Sequence, residues 1–437
     1  MRRNKVDIIT LGCSKNLVDS EQLMRQFVAN GYTVEHDPHK INGEIVVVNT
    51  CGFIGDAQEE SIQMILDLGE QKKQGRIGKL FVMGCLSERF MQELVPELPE
   101  VDHFYGKFNW KELITDLGKS YYQDLSADRV LTTPQHYAFV KIGEGCNRTC
   151  SYCSIPIITG AYKSRQMEEI VEEVRQLTAK GVKEFQFIAQ DLTYYGLDLY
   201  RRTALPELVE RVSDLPGVEW IRLHYGYPSH FPYELLTVMR ERENVCKYMD
   251  IALQHISDRM LSLMRRPITK VETYELIRRM REEVPGIHLR TTLMVGHPGE
   301  TEEDFAELLD FVKQVRFERM GAFAYSHEAG TYAYTHYQDE IAPEVKQDRL
   351  DALMRAQARV SADLNAAKEG QVFKTIIDRE EEDYYVGRTQ FDSPEVDPEL
   401  LLTKEQPLKI GSFYPVRVTG ADEYDLFGEV VTSTEKA

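Results

Sequence analysis

The sequence predicts an α/β protein in three parts: an N-terminal doubly wound parallel-sheet domain, a central partial (βα)6 barrel and a small all-β barrel at the C-terminus. Three observations carry this reading. The first hundred residues repeat one strand–helix pattern three times. Six further strand–helix units run from 137 to 324. Beyond 371 the pattern changes to alternating short strands with turn residues between them. The expected boundaries are 1–120, 132–366 and 369–437.

In the first part, Val6-Asp7-Ile8-Ile9-Thr10-Leu11 is an apolar strand ending in Gly12-Cys13. Ile45-Val46-Val47-Val48 ends in Asn49-Thr50-Cys51-Gly52, and Leu80-Phe81-Val82-Met83 ends in Gly84-Cys85. Continuous apolar runs suit parallel strands buried on both faces. Helices are expected over 17–29, 56–73 and 87–95. The alternation makes a βαβ domain, in which ligands bind beyond the carboxyl ends of the strands. Cys13, Cys51 and Cys85 all fall at that edge, so they can converge although 38 and 34 residues separate them. They read as ligands of a metal cluster. The alternative is three buried strand-end cysteines, since free Cys is often buried.

Residues 96–135 read as a connector with Pro96, Pro99, Pro134 and a short helix over 110–117. The strand 137–142 leads into Gly145-Cys146-Asn147-Arg148-Thr149-Cys150-Ser151-Tyr152-Cys153. A loop of this kind wraps three thiolates around one inorganic centre and leaves one iron of a four-iron cube without a protein ligand. An open metal position marks chemistry rather than structure. The alternative is a zinc knuckle, but a fourth ligand at zinc-like spacing is missing; His136 lies ten residues before Cys146.

The next strands are expected over 185–189, ending in Gln190-Asp191; 218–223, ending in His224-Tyr225; 248–253, ending in Gln254-His255; 288–295, ending in Gly296-His297-Pro298-Gly299-Glu300; and 320–324. Helices fall over 167–180, 205–212, 234–242, 258–264, 272–284 and 301–315. Polar residues gather where each strand ends, the edge that carries catalysis in barrels. Gly296 and Gly299 suit a tight turn opposite the cysteine loop. Cys246 begins the fourth strand, at the other end, as a small apolar filler.

A long amphipathic helix over 344–368 places Leu350, Leu353, Val360 and Leu364 on one face. Strands follow over 371–377, 384–386, 413–418 and 427–431. Residues 371–437 carry seven Lys and Arg against fifteen Asp and Glu, a net charge of −8. Their acidic runs, 380–383 and 392–399, predict a surface that draws a basic protein and repels nucleic acid.

Composition sets the frame. The chain of 437 residues is 42% hydrophobic and 28% charged, ordinary for a globular protein. No apolar run approaches a membrane span. The run before the first strand lacks a signal-peptide core, and seven cysteines argue for metal or catalysis rather than disulfides, so a cytoplasmic location is expected. The formal net charge of −19 disfavours a general nucleic-acid binder.

The C-x3-C-x2-C spacing with Tyr152 resembles the radical S-adenosylmethionine (SAM) enzymes. The chain as a whole resembles their methylthiotransferase family, with Cys13, Cys51 and Cys85 in the first part and a barrel of the TRAM type in the last. Its wording is similar to the RimO branch at Gly12-Cys13-Ser14-Lys15-Asn16-Leu17-Val18-Asp19-Ser20-Glu21, where the transfer-RNA (MiaB) branch usually has Gln and Met at 14 and 15. Gln254-His255-Ile256-Ser257, Arg290-Thr291-Thr292, Tyr325-Ser326-His327-Glu328 and Gly387-Arg388-Thr389 read the same way. His297 departs from the usual Phe. The resemblance implies two [4Fe-4S] clusters, one on Cys146, Cys150 and Cys153 and one on Cys13, Cys51 and Cys85. It implies SAM as both methyl donor and radical source, contacted by Tyr152, Gln190, Gly296 and Gly299. It implies methylthiolation of the β-carbon of an aspartate of small-subunit ribosomal protein S-twelve, with a reductant such as flavodoxin or ferredoxin and no direct nucleic acid or membrane partner. The alternatives are a MiaB-type tRNA methylthiotransferase, an iron–sulfur carrier and a zinc protein.

Overall fold

The computed structural model describes residues 1–125 and 127–431. Its first sheet has five parallel strands in the order Thr33–His36, Arg2–Thr10, Gly43–Thr50, Lys79–Gly84 and His103–Phe104. Alternate residues of the central strand go to opposite cores, Ile45 and Val47 to one and Val46 and Val48 to the other. Helices on both faces cover it, as the continuous apolar runs predict. The two edge strands, 33–36 and 103–104, are additions to the sequence reading: both are short and carry too few apolar residues to signal a strand.

The second sheet has six parallel strands in chain order, Tyr137–Lys141, Glu184–Ile188, Trp220–Gly226, Val245–Gln254, His288–Val295 and Arg319–Ala324. It stays open between its first and last strands. Phe185, Phe187, Ile221 and Leu223 pack against the helices in the largest core. The alternate positions, Glu184, Gln186, Arg222 and His224, are buried on the concave face. A partial barrel with a polar lumen results. The third strand runs through His224 and Tyr225 instead of ending before them.

Five strands, Val372–Glu380, Tyr384–Thr389, Leu400–Thr403, Leu426–Val430 and Phe413–Ala421, close the C-terminal barrel in that spatial order. Leu400–Thr403 is a further addition to the reading. The helix Pro343–Ala366 joins the two barrels, starting at the expected proline. Leu353 and Val360 are buried on it, but so are Arg349, Gln357 and Asn365, and Leu350 and Leu364 are only half-buried. Its inner face is therefore a mixed one: Arg349 pairs with Glu300, and the Gln357 amide donates to the Phe317 carbonyl.

The C-terminal barrel shuts the lower end of the lumen. Glu184 receives both Arg222 (3.0 Å) and Arg388 (2.7 Å). Arg319 pairs with Asp392 at 2.5 Å, and Asp397 takes Arg290 at 3.3 Å and the Tyr248 hydroxyl at 2.7 Å. This corrects the expected acidic surface over 392–399. Asp392 and Asp397 are inward-facing partners of lumen arginines, while 380–383 is exposed. His136, the candidate zinc ligand, is likewise used elsewhere, 2.7 Å from Asp378. Cys246 is buried near the start of its strand beside Trp220, Tyr248 and Ile376, against the C-terminal barrel.

Candidate active site

The upper, carboxyl end of the lumen faces the cysteine edge of the first domain. In the central loop, Gly145 takes φ +91°, and a Cβ there would stand 2.3 Å from the Ala161 carbonyl oxygen, so only glycine lets the two segments meet. The Cys146 amide donates to the Gly160 carbonyl and the Ser151 amide to that of Met264. Cys150 Sγ lies 3.5 Å from an Arg266 guanidinium nitrogen, which also donates to the Tyr152 hydroxyl at 3.1 Å. Burial pushes the Cys146 thiol up to about 11 and raises Cys153 further, with each thiol charge repelling the others. Such thiols are surrendered as thiolates to a metal.

Cys13, Cys51 and Cys85 also lie as neighbours at one sheet edge. A Cβ on Gly12 would stand 2.9 Å from Cys51 Cβ, and the three thiols act on one another electrostatically. Burial drives Cys85 up to about 12. At Cys13, Lys15 and Lys107 outweigh burial and lower the thiol. Cys13 opens into a cavity of about 360 Å³ lined in part by Thr10, Ser14, His36 and Asp37.

A buried polar chain joins the two triads. Cys85 Sγ is 3.6 Å from Asn16 Oδ1, which accepts from Lys107 Nζ at 3.4 Å. Lys107 pairs with Asp19 (3.1 Å) and Glu144 (3.8 Å), and Lys141 bridges the same two carboxylates. Lys141 and Lys107 overcome burial and hold Glu144 down to about 2. Gln190 donates to Glu144 and accepts the Gly145 amide at 3.1 Å. Both polar ends of Gln190 thus hold the cysteine loop. Lys107 and Arg266 escaped the sequence reading because neither sits in a motif. Glu144 and Lys141 lie beside one, in the strand end that feeds the loop.

The turn expected opposite the loop is there. Gly296 and Gly299 take φ +73° and +84°. His297, where Phe was expected, is buried with Nε2 3.0 Å from Ser151 Oγ, a polar tie to the cysteine loop that Phe cannot make. Glu328 is a clamp: it accepts the Gly55 amide at 2.9 Å, Gln58 at 2.9 Å and Arg89 at 3.1 Å, tying the first domain to the partial barrel.

Among the described residues, no three His, Cys, Asp or Glu side chains converge on one point as a single-ion site requires. A tetrahedral zinc ion needs that convergence. A four-iron cube does not, because each thiolate binds a different iron. The donor set, two triads of free thiols and no disulfide, fits two cubes.

The chain matches the radical SAM superfamily over residues 140–312, the TRAM domain over 370–431 and "Uncharacterized protein family UPF0004" over 5–106. Among solved structures it is similar to the radical SAM methyltransferase TsrM from Kitasatospora setae, with a TM-score of 0.53 at 15% identity over 74% of this chain and 75% of that one. It is similar to the cobalamin-dependent radical SAM enzyme OxsB at a TM-score of 0.52 and 12% identity, over 80% of this chain and 56% of that one. At these identities the likeness speaks for the fold alone. Curated relatives are far nearer in sequence. The ribosomal protein uS12 methylthiotransferase RimO of Parabacteroides distasonis is 80% identical over 99% of this chain and all of its own length. That of Bacteroides thetaiotaomicron is 66% identical over the full length of both. The chain belongs to the RimO family of radical SAM methylthiotransferases.

Proposed function

We propose that this chain adds a methylthio group to the β-carbon of an aspartate of ribosomal protein uS12, the S-twelve of the sequence reading. The observation that carries the proposal is two cysteine triads facing one lumen in a chain whose full-length relatives bear that name. Cys146, Cys150 and Cys153 would hold the cluster that binds SAM, and Cys13, Cys51 and Cys85 the second. When bound, the first would supply the electron that splits SAM to a carbon radical able to take hydrogen from an unactivated C–H bond, and the second would hold and deliver the methylthio sulfur, whose methyl group would come from a further SAM.

The protein's own residues do the positioning. Arg266 places a cation against Cys150 and fixes Tyr152, which would lie beside SAM. Gln190 sets the height of the loop through Gly145, and the Gly296–Gly299 turn, packed against Lys346 and Leu263, would contact SAM from the opposite side. In this reading the three working units are 1–120, 132–366 and 369–437, of which 432–437 lie outside the described residues. A flavodoxin or ferredoxin would deliver electrons. The reading includes a cytoplasmic location, supported by seven free cysteines; among the described residues no helix is long and apolar enough to cross a membrane. The reading includes no nucleic-acid partner, supported by the −8 charge of residues 371–437. No observation favours the tRNA alternative.

The test is an anaerobic reaction of the reconstituted enzyme with SAM, a reductant and purified uS12, read by peptide mass spectrometry. The expected product carries one methylthio group on one aspartate. An unmodified uS12 beside a modified tRNA anticodon loop would overturn the proposal.

A further inference from the structure

Lys15 is more than nine-tenths buried, at 8% exposure, yet among the described residues no carboxylate stands within ion-pair distance of its ammonium; Asp250, behind Tyr225, acts on it only from farther off. Its one direct partner among the described residues is the ring of Tyr225, 3.7 Å below it. The other cations between the triads are paired: Lys107 and Lys141 with Asp19, and Arg148 with Asp191. Arg266 has the Ala252 carbonyl and the Tyr152 hydroxyl. A buried cation with no carboxylate in direct contact is costly, and a ring face with a more distant carboxylate offsets only part of that cost.

Tyr225 supplies a second, independent observation. Ile221 and Leu223 point into the main core, and strict alternation would send Tyr225 after them. Instead it takes φ +62°, a strained conformation for a bulky residue, and stays 39% exposed under Lys15. Asp250 accepts the Tyr225 amide at 3.1 Å and holds that turn. Strain retained against alternation is typical of a binding site.

We propose that Lys15, backed by Tyr225, receives the side-chain carboxylate of the target aspartate. This rests on the function proposed above. Lys15 stands two residues from Cys13. A carboxylate held there puts its neighbouring β-carbon at the mouth between the two triads. The lysine thus selects an acidic side chain and orients the carbon to be modified.

The test measures affinity of the anaerobic holoenzyme for two fluorescent uS12 peptides, one with the target Asp and one with Asn. Wild-type enzyme should prefer Asp by about tenfold or more, the worth of a charge-assisted hydrogen bond. Lys15→Met should bind both alike, and Lys15→Arg should keep the preference. Lys15→Gln is the second neutral variant. A neutral variant that keeps the Asp preference overturns the inference, as does one that only loses iron. Failure of both neutral variants to fold would make the lysine structural and overturn it too. Wild-type enzyme that leaves whole uS12 unmodified sinks the function itself, whereas modification of uS12 with an unchanged peptide ratio in Lys15→Met sinks this inference alone.

Discussion

The two ends of the central lumen are both lined with buried charge, and they use it in opposite ways. At the lower end every buried charge described above is answered: Glu184 by Arg222 and Arg388, Asp392 by Arg319, Asp397 by Arg290. The C-terminal barrel is the lid that brings those partners. At the upper end, six thiols are gathered beside Lys15, Lys107 and Arg266, and among the described residues Lys15 has no carboxylate within ion-pair distance. Paired burial fixes a structure, while unpaired burial at a cleft marks a place for a ligand. One sheet therefore has a structural end and a chemical end, set by which neighbouring domain completes its charges.

The comparison breaks most sharply at the cysteines. Replacing Cys146, Cys150 and Cys153 with Ala should abolish deoxyadenosine release from SAM, followed by anaerobic chromatography. Retained release would show that the upper end is not the chemical one.

At the lower end, Glu184→Ala should leave Arg222 and Arg388 buried with one carboxylate fewer. A loss of roughly 3–5 kcal/mol of stability is expected by denaturant titration. A negligible loss would mean the lid does not need its charges.

Acid should loosen the same end. Burial, with Lys368 and Arg319 adding to it, pushes the His288 imidazole down to about 3 from an ordinary 6.5. A neutral folded His stabilises fully above about pH 6.5, and the contribution drains as pH falls toward 3. Against the push of burial, Arg388 and His136 hold Asp378 down to about 2, so its contribution is lost below about pH 3.8. Melting temperature should therefore fall below pH 6.5 and fall less in His288→Phe.

Smaller effects sharpen the contrast. Neutralising Glu380, Glu381, Glu382 and Asp383 together should weaken uS12 binding at low salt and change little at high salt, because they remain exposed and are screened. Cys246→Ala should cost only about 1 kcal/mol and leave iron content unchanged, since it fills a gap at the structural end.

Much of this was legible in the sequence. Continuous apolar runs located the parallel strands, and cysteines directly after three of them gave the first triad its edge. The short strands 33–36, 103–104 and 400–403 were not legible, because two to four residues carry no period. The acidic stretch 392–399 was misread because sign alone does not reveal that Arg319 and Arg290 lie across an interface from it. Lys107 and Arg266 were invisible for the same reason: their partners are distant in sequence and meet them only in the fold.

The most direct measurement is iron and acid-labile sulfide per chain after anaerobic reconstitution, for the native protein and for each triad changed to Ala. The account predicts about eight irons in the native protein and about four in either variant, with matching sulfide. Zinc in place of iron, or complete loss of iron from either single-triad variant, would contradict it.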